Sequence, residues 1–130
     1  VGRKEDAIQQ FKRILKKGGV LIITAPFNSL THFAPYHFAT GFNSYYFNHY
    51  LSKLDFEIVE ITANGNFFSY VAQELFRVPQ MAEEYTGKRL GIIKKILLLI
   101  CIRMLAKISS NDKESSKVLC YGYHVIARKK

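Results

Sequence analysis

The 130-residue sequence has no tryptophan and only two cysteines, Cys101 and Cys120, far from each other and from any metal-ligand pattern. Thiols this few exclude a disulfide scaffold and a zinc framework, and a reducing, cytoplasmic compartment is expected. Acids are scarce as well, with 10 Asp and Glu against 19 Lys and Arg and a net charge of +9. No apolar signal segment stands at the start, and the chain opens Val-Gly-Arg-Lys without an initiator methionine. A processed protein or an excised piece of a longer one is therefore expected. Its longest uncharged run within a basic segment, Ile96 to Ile102, is far short of the roughly 20 residues that span a bilayer. Charge of either sign is missing altogether between Gly18 and Ser52.

What is present fills a core. Apolar residues make up 48% of the chain, and the 10 Phe and 8 Tyr argue against general disorder. The length suits one compact domain. The neutral stretch from Gly18 to Ser52 carries His32, His37, His49 and a dense set of Phe and Tyr, yet Pro26, Pro35 and Gly41 break it. Such a stretch is part core and part pocket lining.

The periodicity predicts a helix from about Glu5 to Lys17, with Ala7, Ile8, Phe11, Ile14 and Leu15 on one stripe and Gly18-Gly19 ending it. Val20 to Ala25 is a continuous apolar run, the pattern of a strand buried on both faces. A loop from Pro26 to Gly41 follows, then a helix capped by Asn43 or Ser44 and reaching Leu54. Phe56 to Thr62 alternates apolar and acidic residues as a strand with one exposed face, and Asn64-Gly65-Asn66 turns the chain. Phe67 to about Val78 is predicted helical, with Pro79 starting a new piece. Lys88 to Ile108 places Leu90, Ile93, Leu97, Ile100, Cys101, Met104, Leu105 and Ile108 on a helical stripe among six bases and no acid. Val118 to Ala127 is a further apolar strand in which His124 is expected to be buried and satisfied.

Phe11-Lys-Arg-Ile-Leu-Lys-Lys-Gly-Gly-Val-Leu-Ile-Ile-Thr-Ala-Pro26 resembles the stretch leading into the fifth strand of class I S-adenosylmethionine-dependent methyltransferases, of the type 11 and type 12 kind. His32-Phe-Ala-Pro-Tyr-His-Phe38 with Leu54-Asp-Phe-Glu-Ile-Val59 is similar to the continuation into the sixth strand, and Tyr121-Gly-Tyr-His-Val-Ile-Ala-Arg-Lys129 to the seventh. The resemblance implies an α/β fold: a partial Rossmann-like sheet whose last strand runs antiparallel between the other two. Residues 1–66 and 118–130 would form the C-terminal half of the core, and 67–117 a helical insertion capping the site. The family's glycine-rich donor turn, which follows a strand, has no counterpart, because Gly18-Gly19 precedes one. No residue of this chain is therefore expected to hold the cofactor, and the donor-binding half would precede Val1.

In doubly wound sheets ligands sit beyond the carboxyl ends of the parallel strands, which puts the neutral loop and the Asn64 turn on the ligand face. A neutral, ring-lined pocket suits methyl transfer, where positioning and exclusion of water carry much of the rate. For a hydroxyl or amine acceptor, His37 or His32 is the available base. Asn28, Tyr36, Phe38, Asn64 and Asn66 are the expected substrate contacts. Against these roles stand plainer ones: loop histidines bonded to backbone, aromatic rings in the core, and Asn64 to Asn66 as a mere turn. A metal site from His32, His37 and His49 lacks a nearby acid or thiol.

The expected activity is thus the acceptor side of a methyltransferase that uses S-adenosylmethionine in its full-length form, the acceptor being a small molecule. The competing expectation is a basic module that binds nucleic acid or a membrane surface without catalysis. Nucleic acid is disfavoured because the aromatic stretch contains no base, whereas stacking platforms interleave the two. For helix 88–108 the expected arrangement packs the stripe onto the domain, with peripheral contact to an anionic membrane as the alternative. The Val20 to Ala25 strand, lacking an inner neighbour, would offer an open edge and favour a homodimer of the fragment.

Overall fold

The computed structural model describes residues 4–32, 34–37 and 39–130. The chain divides into two units, Val1–Asn64 with Tyr121–Lys130, and Gly65–Cys120.

The first unit begins with helix α1, Lys4–Ile14, which ends a turn earlier than its periodicity predicts. The reason is a cap supplied from the far end of the chain. The Lys129 ammonium donates to the carbonyls of Lys12 and Leu15, both at 2.6 Å, so the last turn's orphan acceptors meet a cation instead of further helical N–H groups. Gly18, at φ 77, then reverses the chain, its N–H donating to Lys129 O at 2.8 Å.

Strand β1, Val20–Pro26, leads through the neutral loop to helix α2, Ser44–Lys53. The cap of α2 is Asn43, whose carboxamide oxygen accepts from Tyr46 N at 3.0 Å. Asp55, at φ 60, turns the chain into strand β2, Phe56–Asn64. An ion pair from Lys12 fixes this corner. That hydrogen bond, then the charges of Lys12 and Lys130, hold the Asp55 carboxyl below its ordinary 3.8.

Strand β3, Gly122–Lys129, lies between β1 and β2 and is antiparallel to both. The sheet is therefore a three-stranded antiparallel one in the order β1-β3-β2. The parallel pairing of a Rossmann-like sheet is not among its contacts, although β1 and β2 run in the same direction. Val59 has no partner in the β2–β3 register, where Ile58 faces Ala127 and Glu60 faces Ile126. This one-residue bulge is why the apolar and acidic alternation of β2 changes phase midway.

One face of the sheet is covered and one is open. Ile8, Leu21, Phe47, Leu51, Phe56, Tyr123, Val125 and Ala127 are buried together. The largest of these, Phe47 and Phe56, each contribute about 2 to 3 kcal/mol of apolar burial. Phe42, Tyr46 and Tyr50 stack beside them along α2, with ring centroids 4.5 and 4.7 Å apart. The other face carries Ile22, 70% exposed, with Val20 and Val59 also exposed. The expectation that β1 is buried on both faces is thus corrected: its apolar run has only one covered side, and it lies at the edge of the sheet.

The second unit is helical. Helix α3 spans Phe67–Thr86 and runs through Pro79, where the sequence predicted a break. It starts at a capping box on Asn66 and ends at the left-handed Gly87, at φ 66, so these caps and not Pro79 set its bounds. Helix α4, Ile92–Ser109, packs on α3, and a short 3₁₀ turn at Ser115–Lys117 follows. Tyr70 and Cys120 are buried, whereas α4 has no buried residue. The stripe expected to pack inward is instead exposed at Ile93, Leu97, Ile100, Cys101, Met104 and Ile108, and the half-buried side is that of Leu98, Ile102 and Leu105.

Candidate functional site at the carboxyl ends of the first two strands

Because β3 is antiparallel to its neighbours, its first residues meet the carboxyl ends of β1 and β2. There a small depression of about 120 Å³ is lined by Thr24, Pro26, Asn64, Tyr121 and His124, with Gly122 at its floor. Glycine is required at that floor, since a Cβ at Gly122 would stand 2.4 Å from Ala25 O. The rungs on either side hold the end of the sheet shut: Phe27 N donates to Tyr121 O at 3.0 Å and Tyr121 N to Asn64 O at 2.9 Å.

His124 faces outward in the row Thr24–His124–Thr62 and is exposed, which corrects its expected burial. Its Nδ1 lies 3.0 Å from Thr24 Oγ1. The signal for this residue was the small hydroxyl residues in both neighbouring strands, which mark a polar row. It becomes legible only once the register is known.

The loop after β1 is pinched at its base. Phe42 N donates to Pro26 O at 2.8 Å, and Ser29 Oγ donates to Thr40 O at 2.8 Å. Gly41 permits the pinch, as a Cβ there would come within 2.3 Å of Pro26 O. Within the loop His32 and His37 meet edge to face, with ring centroids 4.6 Å apart.

Their hydrogen bonds define their tautomers. His32 Nδ1 lies 2.8 Å from Leu30 O, an acceptor only, so Nδ1 carries the proton and Nε2 the lone pair. His32 N donates to His37 Nδ1 at 3.4 Å, which leaves the proton of neutral His37 on Nε2. That Nε2 is enclosed and has no hydrogen-bond partner among the described residues. The two rings are thus linked through the His32 N–H, with the His32 lone pair on Nε2 and the His37 proton on the enclosed Nε2.

The other predicted contacts are dispersed. Tyr36 is 76% exposed and Asn28 is exposed, both in the loop. Phe38 lies outside the described residues. Asn64 lines the depression, but Asn66 belongs to the helical unit, where its carboxamide is engaged in holding helix ends. Its Oδ1 accepts from Ser69 N and Ser109 Oγ, both at 3.0 Å, and its Nδ2 donates to Ser109 O at 3.2 Å. Helix capping accounts for Asn66 without a ligand.

Among the described residues no three His, Cys, Asp or Glu side chains gather as a metal site. No helix among them is long and apolar enough to cross a membrane. Comparison with protein-family models, with curated proteins and with solved structures found no match to this chain.

Proposed function

We propose that the chain is the acceptor-side, C-terminal portion of an S-adenosylmethionine-dependent methyltransferase. The observation that carries this reading is the strand arrangement: two strands of like direction, each preceded by a helix, with the last strand inserted antiparallel between them. That order is what the resemblance implies for strands five, seven and six. The open edge of β1 and the exposed Val20 and Ile22 support it too, since a doubly wound sheet is covered on both faces and continues past this strand.

Among the described residues, those at the carboxyl ends of β1 and β2 do not fit the methyl donor itself. The depression of about 120 Å³ is well below the several hundred Å³ of ordinary cofactor pockets. The turn after β1 reads Pro26-Phe27-Asn28, without glycine, and the turn after β2 is taken up by the cap of α3. On this reading the donor is held by residues upstream of Val1.

What these residues do concerns the acceptor. His32 takes the proton of an acceptor hydroxyl or amine, and His37, whose Nδ1 accepts from His32 N, positions it. Asn64 and Thr24 add neutral polar contacts at the strand ends. The pinched loop holds the histidine pair without a charged side chain that would compete as a nucleophile.

The reading frame upstream of Val1 provides the test. A strand followed by a glycine-rich turn is expected there, and protein expressed from that whole frame is expected to transfer a tritiated methyl group to a small-molecule acceptor. An upstream sequence without such a turn overturns the proposal.

A further inference from the structure

The helical unit carries an apolar surface that its own packing leaves uncovered. Along α4 the residues Ile93, Leu97, Ile100 and Met104 recur at helical spacing and are 72%, 56%, 58% and 55% exposed. They lie opposite the half-buried side formed by Leu98, Ile102 and Leu105. Four cations share the helix, Lys94, Lys95, Arg103 and Lys107, with no Asp or Glu. None of the four forms an ion pair among the described residues. Beside them a groove of about 370 Å³ between α3 and α4 is lined by Leu75, Phe76, Pro79 and Ile102, and its one charged lining residue is Lys95.

We propose that this face of α4 docks on an anionic membrane surface. The helix lies in the plane of the interface, its aliphatic side chains at the boundary of headgroups and acyl chains and the flanking Lys94, Arg103 and Lys107 on lipid phosphates, while Lys95 lines the groove toward α3. Charge decides among the occupants. A second copy of the chain would set four unpaired cations against four more, a repulsion with no acid on either helix to relieve it. Spanning is excluded by the same cations and by the helix length of 18 residues. An anionic lipid surface matches both halves of the pattern: it takes aliphatic side chains without demanding a shaped partner, and long Lys and Arg stems reach its phosphates from the flanks. The inference stands independently of methyl transfer, because it uses residues of the helical unit alone.

The experiment is vesicle co-sedimentation of the 130-residue protein. Phosphatidylcholine vesicles are compared with vesicles that also contain phosphatidylglycerol, at low and at high salt. The protein is expected to pellet with the anionic vesicles at low salt and to be released by high salt. A Leu97→Glu, Ile100→Glu double variant is expected to lose about tenfold or more in bound fraction. Both side chains are more than half exposed, so its helicity by circular dichroism should match the parent. Replacing Lys94, Lys95, Arg103 and Lys107 by Gln should abolish the preference for anionic lipid. The proposal is overturned if the parent stays in the supernatant with anionic vesicles at low salt, or if the double variant pellets as well as the parent. A dimer in sedimentation velocity that the double variant dissolves would also overturn it, in favour of a second copy.

Discussion

Replacing Gly122 by Ala tests whether the end of the sheet closes as tightly as the site requires. The added Cβ would lie 2.4 Å from Ala25 O, 3.1 Å from Pro26 Cα and 3.2 Å from Ala25 C. All three are backbone atoms, so relief demands that β1 and β3 part by about 1 Å, not that a side chain rotate, and overpacking of this kind costs about 1 to 3 kcal/mol. Parting them also stretches the Phe27 N to Tyr121 O bond, whose loss adds about 0.5 to 1.5 kcal/mol. The lower entropy of an unfolded chain bearing Ala returns about 0.4 to 1 kcal/mol. The net expectation is a loss of about 2 kcal/mol. With a urea slope of about 1 to 2 kcal/mol per molar for a chain this small, the midpoint should fall by about 1 to 2 M. Urea titration followed by far-ultraviolet circular dichroism measures it. An unchanged or raised midpoint would refute the close approach at Gly122 and with it the floor of the depression.

Asp55→Asn keeps a side chain that tolerates positive φ but removes the ion pair with Lys12. Because the folded-state pKa of Asp55 is depressed, its contribution is present above the ordinary value of 3.8 and is lost as pH falls through the folded-state value. The melting temperature of the variant should accordingly lie slightly below that of the parent near neutral pH and converge with it in strong acid. A gap that persists in acid would assign the effect to something other than the charge. Asn66→Ala should destabilise the helical unit by about 1 to 2 kcal/mol through the lost cap, with hydrogen exchange accelerating first in the opening turn of α3. Equal exchange there would contradict the capping role. In protein expressed from the whole reading frame, His32→Gln should lower methyl transfer by about a hundredfold, whereas His37→Gln, whose carboxamide oxygen can still accept from His32 N, should cost less. The reverse order would refute the tautomers deduced from Leu30 O and His32 N.

Local chemistry made part of this structure legible in the sequence. Asn43 announces α2, Gly18-Gly19 separates α1 from β1, and the alternation of Phe56 to Thr62 marks a strand with one open face. Three features needed partners that local pattern does not name. α1 stops at Ile14 because Lys129 caps it, from a position over a hundred residues away. Helix α3 passes Pro79, and the Asn66 that starts it is held by Ser109, 43 residues on. Val59 bulges out of register only in relation to β3. The site was legible to the same degree. His32 and His37 stand close in sequence across Pro35, and they do meet in the loop. Thr24 and His124 are neighbours solely through the antiparallel register, and a histidine in an apolar run gave no hint of which face it would take. Asn64 and Asn66 looked equivalent in one turn, yet β2 claims the first and the cap of α3 the second.

The central claim, that these residues are the acceptor side of a methyltransferase whose donor site is formed elsewhere in the protein, meets its most direct test in calorimetric titration with S-adenosylmethionine. Protein expressed from the whole reading frame should bind the donor, and residues 1–130 alone should give no heat of binding. Tight binding by the 130 residues, or none by the whole protein, would contradict it.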